Sequence, residues 1–579
     1  MQMKHTACYQ KNYPRPQFVR KDWLDLNGKW AFGFGEETRE ADALAGKLKR
    51  EIIVPFSYET EMSGIGDTSM HETVWYAREI QGKRGKRTIL NFEGADYDTT
   101  VYINGAFVGT HRGAYARFSF DITEFLTKEQ NLLVVRCDDL NLPAQVRGKQ
   151  RWEKESFGCW YVQTTGIWKS VWLEYVENVH LTRLKITPDI NDYSVRFDFA
   201  VNQPADDIEV CFEISCDGKP VQVVSALARD FDDAVTAYLS SENLTYQVAL
   251  WGVNNPFLYD LRVTVYKAGK KVDEVGSYFA LREYTVKGDK ILLNGHPFYA
   301  RLLLDQGYWK ESGITPPSEE ALARDIRLAQ EMGFNGVRKH QKVEDERFFY
   351  YADILGFTVW CEFPSNHWQS DETAAELTRE WAEIVRQNYN HPSLCTWVVF
   401  NESWGVRNIR TNRAQSNLAT SLYYLTKTFD TMRPVISNDG WEHAASDILT
   451  LHDYEQDAEK LHKRYETLKQ MTEGSSLNAQ PLPYAEGYQY RGQPIIISEF
   501  GGTAYVRDEK RGWGYGNGVS GDEEFLSRFG ALVGAIDALD ISGFCYTQIT
   551  DVQHEVNGLL YENRTPKVPT AEIAARNKR

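Results

Sequence analysis

Thr396-Trp-Val-Val-Phe-Asn-Glu-Ser-Trp-Gly405 sets a run of apolar, β-favouring residues against a carboxylate, Glu402, at its end. A second run, Ile495-Ile-Ile-Ser-Glu-Phe-Gly-Gly502, repeats the pattern with Glu499. Short apolar runs without alternation read as strands buried on both faces, as parallel strands are under covering helices. The strands expected here are Thr396–Asn401 and Ile495–Glu499, with further runs at Phe298–Leu304, Gly336–Arg338, Thr358–Glu362, Pro434–Ser437, Ile448–His452 and Gly543–Gln548. Helical patterns fall between them. Ser318 can cap a helix with Glu319 and Glu320 in its first turn, Leu322, Ile326 and Ala329 on its apolar face, and a stop at Gly333. The same spacing recurs at Leu377/Trp381/Ile384, Leu418/Leu422/Leu425/Phe429 and Phe525/Phe529/Leu532/Ile536. Eight strands alternating with helices predict a (β/α)8 TIM barrel over 288–579; a doubly wound open sheet shares that periodicity.

Upstream the rhythm is all-β. In Thr99-Thr-Val-Tyr-Ile-Asn-Gly-Ala-Phe-Val108 the Asn104-Gly105 pair between apolar runs is a hairpin signal. With Leu132–Val135 and Ser170–Glu174 this style predicts a β-sandwich over 1–178. It continues through Tyr193–Val201, Glu209–Ser215 and Leu258–Tyr266, and the length of 179–287 suits an immunoglobulin-like sandwich. Three domains agree with 579 residues at roughly 100–200 residues per domain.

Composition narrows the partners. The net charge of −16 repels phosphate backbones and anionic headgroups, which argues against nucleic acid and membrane surfaces. The first residues carry no apolar signal segment, and no run approaches the ~20 apolar residues of a spanning helix. Cysteines at 8, 137, 159, 211, 216, 361, 395 and 545 form no CxxC pair and read as free thiols of a reducing, cytoplasmic compartment.

In a barrel of this class, active groups gather where strands end, at the C-terminal mouth. Glu402 and Glu499 both fall there. A carboxylate closing an apolar strand is costly to desolvate without partners or a task, although a rim salt bridge would also account for either one alone. Two carboxylates facing each other across a mouth can cleave a glycosidic bond, one donating a proton to the leaving oxygen and the other attacking the anomeric carbon.

The Asn-Glu after strand four and the Glu after strand seven resemble the catalytic pair of glycoside hydrolases built on this plan. More narrowly, the chain resembles glycoside hydrolase family 2, which holds β-galactosidases, β-glucuronidases and β-mannosidases. Leu26-Asn-Gly-Lys-Trp30, Val54-Pro-Phe56, Tyr102-Ile-Asn-Gly105 and Thr165-Gly-Ile-Trp168 look like its jelly-roll sugar-binding domain. Asn255-Pro-Phe-Leu-Tyr259 resembles the end of its immunoglobulin-like sandwich, and Leu293-Asn-Gly-His-Pro-Phe298 the entry to its barrel. Carried over position by position, the resemblance implies Glu402 as general acid/base and Glu499 as nucleophile. It further implies Asn401 and His340 as sugar contacts and Tyr454 as the hydroxyl that bonds the nucleophile. Asp305, just past strand one, is a candidate sugar ligand or a brace for Arg338. Trp309, Trp368, Trp404, Trp441 and Trp513 lie near strand ends, where a ring can stack on a pyranose.

The chain also departs from family patterns. Gln553-His-Glu-Val-Asn-Gly558 lacks the Lys that meets a uronate in β-glucuronidases, which demotes glucuronides. Glu362-Phe-Pro-Ser-Asn-His367 differs in spacing from the Glu-x-His magnesium site of large β-galactosidases, so no metal and no cofactor are expected. The first-domain Asp that reaches the sugar has no match; Trp160 or Gln163 would occupy its space.

The expectation is a retaining exo-β-glycosidase acting on terminal β-linked sugars, foremost β-galactosides, with an oligosaccharide or glycoside as partner. Homo-oligomers are frequent in the family. Sister activities are β-mannosidase, β-glucosidase and arabino- or galactofuranosidase. A carbohydrate-binding protein without turnover and a barrel lyase or isomerase are the competing classes; the paired acids weigh against the first, and the lack of a metal motif against the second. Gly512, Gly514, Gly516 and Gly518 suggest a mobile loop over the mouth.

Overall fold

The computed structural model describes residues 4–239, 248–466, 482–505 and 512–578. Its N-terminal part stacks two antiparallel sheets. One joins Trp23–Asp25, Val171–Val176, Arg87–Phe92 and Phe118–Asp121. The other joins Arg50–Val54, Gly28–Phe34, Thr73–Ile80, Asn131–Asp138, Asp98–Ile103 and Ala106–Arg112. Inward-facing Trp30, Phe32, Tyr76, Phe92, Val101 and Leu133 fill the space between them. Asn104 and Gly105 do form the hairpin, both with positive φ, 53° and 81°, as a tight two-residue turn demands.

A second sandwich packs the sheet of Leu181–Asp189, Ser194–Val201 and Asp233–Tyr238 against that of Lys219–Leu227, Ile208–Cys216, Tyr259–Lys267 and Lys270–Phe279. Phe197 stacks on Phe212 in its core, with Phe199 tilted against Phe212. Arg20 joins the two sandwiches: its guanidinium pairs with Glu174 at 2.6 Å and with Asp273 at 2.8 Å, all three buried.

The remaining chain is a parallel eight-stranded barrel. Its strands are β1 (Ala300–Asp305), β2 (Gly336–Lys339), β3 (Thr358–Glu362), β4 (Leu394–Asn401), β5 (Val435–Asp439), β6 (Leu449–Asp453), β7 (Ile495–Gly501) and β8 (Gly543–Thr547). Hydrogen bonding runs in the order β5-β4-β3-β2-β1-β8-β7-β6, so β5 and β6 meet at a seam. The open-sheet alternative is thereby set aside.

Helix α1 (Glu319–Glu331) starts as its sequence dictates: the Ser318 side chain accepts from Ala321 N, and Leu322, Ile326 and Ala329 are buried. α2 (Glu346–Leu355) and α3 (Asp371–Asn388) follow on the same outer layer, α3 opening on a reciprocal cap between Ser370 and Thr373. Among the described residues all eight cysteines are free, and no helix is long and apolar enough to cross a membrane.

Candidate active site

Strand β4 carries the chain to the mouth and then turns sharply. Glu402 and Ser403 both take left-handed backbone, φ 50° and 58°, a conformation unfavourable for side chains with a Cβ. Neighbouring bonds hold them there. Glu402 N donates to Asp439 O at 2.9 Å, Ser403 N to Asn438 Oδ1 at 3.0 Å, and Ser403 Oγ to Glu442 Oε2 at 2.7 Å. The turn aims Glu402 over the barrel with its side chain 21% exposed, whereas that of Glu499, on β7, is 6% exposed. Oxygens of the two carboxyls lie within 4.8 Å of each other, together with a nitrogen of His452.

Cations organise the acids. Arg338 on β2 donates to Glu499 Oε1, Glu362 Oε2 and Asn401 Oδ1 at 2.7, 2.7 and 2.6 Å, and pairs with Asp439 at 2.8 Å. A guanidinium only donates, so Asn401 must turn its oxygen toward it; Asn401 Nδ2 is left without a partner. His452, at the end of β6, bridges the seam with Nε2 at 3.0 Å from Asp439 Oδ2, and its Nδ1 lies 2.8 Å from Glu402 Oε1. Burial pushes its pKa down, but Glu499, Asp439 and the bond to Glu402 outweigh that and raise it to about 10, so the ring is an imidazolium with both nitrogens donating.

For Glu499, burial favours the protonated form, while His452, Arg338 and the Tyr454 hydroxyl together hold its pKa below the usual range. Tyr454 OH donates directly to Glu499 Oε2 and lies 3.2 Å from Thr547 Oγ1. Glu362 responds oppositely: burial lifts its pKa to about 7, with Asp439 and Glu499 adding to the rise and Arg338 opposing it. Glu402, His452 and Glu499 are spaced as cation ligands, but the imidazolium itself supplies positive charge among them.

His340 contributes a buried ring at the end of β2. Its Nδ1 bonds Gln306 Oε1 at 2.8 Å, and its Nε2 has no hydrogen-bond partner among the described residues. Burial, and then Arg338, Lys149 and His452, drive its pKa well below the ordinary histidine value, so it is neutral.

The first sandwich reaches this mouth. Trp160 packs at 5.6 Å from Trp404, 5.1 Å from Trp152 and 5.1 Å from Phe157, with His367 completing the cluster. Trp404 also lies 5.9 Å from His340, and Trp441 stands edge-on to His452 at 5.5 Å. The ammonium of Lys149, a buried residue, sits 5.3 Å over the Trp404 ring and 5.6 Å over Tyr161. No carboxylate among the described residues lies within ion-pair distance of it; its nearest electrostatic partner is the Cys159 thiol, and Glu555, Glu499 and Glu402 act on it from farther away.

Several expectations are corrected. Asp305 braces Lys339, not Arg338: Lys339 Nζ donates to its Oδ2 at 2.7 Å and Gly307 N to its Oδ1 at 2.7 Å. Gln163 accepts from Arg151 Nε at 2.8 Å and donates to Ser69 O at 3.1 Å, so it holds the 67–69 loop instead of filling the place of an acid. Trp309 is a core ring under Lys342 and Arg564. The glycine-rich stretch contains a strand, Tyr515–Val519, paired with Thr503–Tyr505, and its Tyr515 stacks on Tyr454; residues 506–511 lie outside the described ones. Glu362 accepts from Arg338 and Gln341, and His367 packs in the aromatic cluster. His452, Arg338, Lys149 and Glu555 are the site groups that sequence reasoning left without a role.

Comparison with known proteins accords with this architecture. Profiles described as Glycosyl hydrolases family 2, sugar binding domain, Glycosyl hydrolases family 2, and Glycosyl hydrolases family 2, TIM barrel domain match residues 24–175, 179–282 and 284–507. A putative beta-glucuronidase of Formosa agariphila is 31% identical over 346 residues, 57% of this chain and 40% of that protein. A beta-galactosidase of Thermoanaerobacter pseudethanolicus is 26% identical over 401 residues, 66% of this chain and 51% of that protein. The chain thus spans about half the length of the curated relatives it matches. A GH2 beta-galacturonidase structure from Eisenbergiella tayi shares the fold at a TM-score of 0.75 and 18% identity, covering 97% of this chain and 98% of that one. Three consecutive domain matches, in the order the folded chain displays, make this protein a member of glycosyl hydrolase family 2.

Proposed function

We propose that the chain is a retaining exo-β-glycosidase in which Glu499 is the nucleophile and Glu402 the acid/base. The observation that carries this reading is the close approach of the two carboxyls, within 4.8 Å, with Glu499 held ionised by its neighbours. One oxygen of each carboxyl within that distance of the other favours the ~5–5.5 Å separation of a retaining pair over the ~6.5–9.5 Å of an inverting one.

Glu499 attacks the anomeric carbon while Glu402 gives its proton to the glycosidic oxygen; the carbon–oxygen bond breaks and the aglycone leaves as an alcohol. Glu499 is now a neutral ester. The repulsion between the acids has vanished. Glu402 then takes a proton from water, the water oxygen attacks the anomeric carbon, and the ester bond breaks to return the Glu499 carboxylate. Asn401 Nδ2 is available to the sugar 2-hydroxyl as the oxocarbenium-like state develops. The cluster of Trp152, Phe157, Trp160 and Trp404 walls one side of the mouth, which favours a terminal sugar over a through-running chain.

For the sugar, the first reading is a β-galactoside. Asn557 and Glu555 stand in the stretch where β-glucuronidases resemble one another in an Asn-x-Lys pair, and the Glu555 carboxylate would repel a uronate. A second reading, a β-uronide, is favoured by Lys149, whose ammonium reaches the mouth from the first domain with no carboxylate among the described residues within ion-pair distance. A panel of aryl β-glycosides, galactoside and galacturonide included, separates them: Lys149→Met should abolish uronide hydrolysis if that reading holds and spare galactosides if it does not. Glu499→Gln or Glu402→Gln with full activity would refute the mechanism, as would covalent labelling away from Glu499 by a 2-deoxy-2-fluoro glycoside.

A further inference from the structure

A file of buried polar side chains runs from the barrel mouth toward the first domain. His340 Nδ1 meets Gln306 Oε1 at 2.8 Å, and Gln306 Nε2 meets Gln548 Oε1 at 2.8 Å. Gln548 Nε2 meets Asn557 Oδ1 at 2.7 Å, and Asn557 Nδ2 meets Glu555 Oε1 at 3.1 Å. Tyr161 OH donates to the other Glu555 oxygen, and every member of the file is buried.

The file has a direction. Asn557 turns its NH2, which can only donate, toward Glu555 Oε1, which accepts. Its oxygen then faces Gln548 and takes that residue's NH2. The same constraint passes through Gln548 and Gln306 and arrives at His340, whose Nδ1 must carry the hydrogen because it faces Gln306 Oε1. His340 is neutral, so a hydrogen on Nδ1 leaves Nε2 as a bare lone pair. That nitrogen has no hydrogen-bond partner among the described residues and lies 3.7 Å from Glu362 Oε1 and 3.8 Å from Glu499 Oε1. Left to its immediate surroundings, the ring would put its hydrogen on Nε2, toward those two acids. The file imposes the opposite choice.

We infer that Glu555 is a positioning residue that fixes the tautomer of His340, so that Nε2 accepts a hydrogen bond from a substrate hydroxyl beside Glu499. The identity of the donor, a sugar hydroxyl, rests on the glycosidase reading; the tautomer does not. A site built this way recognises a hydroxyl at that position and rejects fluorine or hydrogen, neither of which can donate.

The test uses the full chain with isotope-labelled histidine, the His340 resonance being assigned by its loss in His340→Gln. Glu555→Gln keeps an oxygen for Tyr161 and offers an NH2 to Asn557, so the file can reverse without losing a bond. The expected result is an Nδ1–H ring in the wild type and an Nε2–H ring in Glu555→Gln. Tyr161→Phe removes a bond to the same carboxylate but leaves the direction intact, and should retain Nδ1–H. On aryl glycosides with single hydroxyls replaced by fluorine, the wild type should lose about ten- to a hundredfold in kcat/KM at one position, and Glu555→Gln should lose that discrimination. An Nε2–H ring in the wild type, or an unchanged tautomer in folded Glu555→Gln, overturns the inference. If Glu555→Gln fails to fold, the wild-type tautomer decides alone. Absence of hydrolysis on every glycoside would refute the glycosidase reading and leave the tautomer result standing on its own.

Discussion

Replacing His452 with Gln removes a buried positive charge from among three carboxylates while keeping a side chain that can still donate one hydrogen bond. The ring lies 2.8 Å from Glu402, 3.0 Å from Asp439 and 3.5 Å from Glu499. At 3.5 Å and an effective dielectric near 20, one such charge pair is worth about 5 kcal/mol gross, a ceiling that entering water and the remaining Arg338 reduce. An opposite charge at this range shifts a carboxylate by about 1–3 pH units. Glu499 loses one of the groups that keep it ionised, so the acid limb of kcat/KM should move upward by about 1–3 pH units, a loss of roughly ten- to a thousandfold on the acid side.

The assay is kcat/KM on an aryl glycoside from about pH 4 to about pH 9, with His452→Lys as a charge-retaining control. The sign for stability is separate. His452 binds its proton more tightly folded than unfolded, so its stabilisation is whole below its ordinary value of 6.5 and disappears as pH rises through about 10. His452→Gln should lack that part of the alkaline slope in denaturant titrations. An acid limb that stays in place, or moves downward, would refute the claim that His452 keeps Glu499, the proposed nucleophile, charged.

Tyr454→Phe deletes a charge-assisted bond to Glu499 and should cost about ten- to a hundredfold in kcat, with burst kinetics showing which half-reaction slows. Gly405→Ala places a Cβ 2.3 Å from Asn366 Oδ1 at a φ of +76°, and should displace the Glu402 turn, lowering kcat more than it raises KM. Arg20→Met leaves Glu174 and Asp273 buried and uncompensated, for about 3–5 kcal/mol of destabilisation seen as an earlier denaturant midpoint by tryptophan fluorescence.

The barrel was legible because its strands are apolar on both faces and its helices are not: α1 could be placed from Ser318 to its stop at Gly333 within a residue or two. Glu402 and Glu499 were legible for a related reason, since a carboxylate that ends an apolar run stands out locally. His452 ends such a run too, in Leu451-His-Asp-Tyr454, but what gives it meaning is the meeting of β5 with β6, and no window of sequence contains that seam. Lys149 and Glu555 belong to loops hundreds of residues apart that converge only once the first sandwich has docked. Asp305 and Gln163 misled because position at a strand end or in a loop says nothing about which neighbour consumes a polar group; Lys339 and Arg151 do so here.

The seam between β5 and β6 has a further consequence. At this join the bond between Asp439 and His452 is made by side chains that also hold the proposed nucleophile and proton donor. The closure of the cylinder is therefore wired into the same proton inventory as turnover. Selection for a different pH optimum would act on the architecture as well as on the rate.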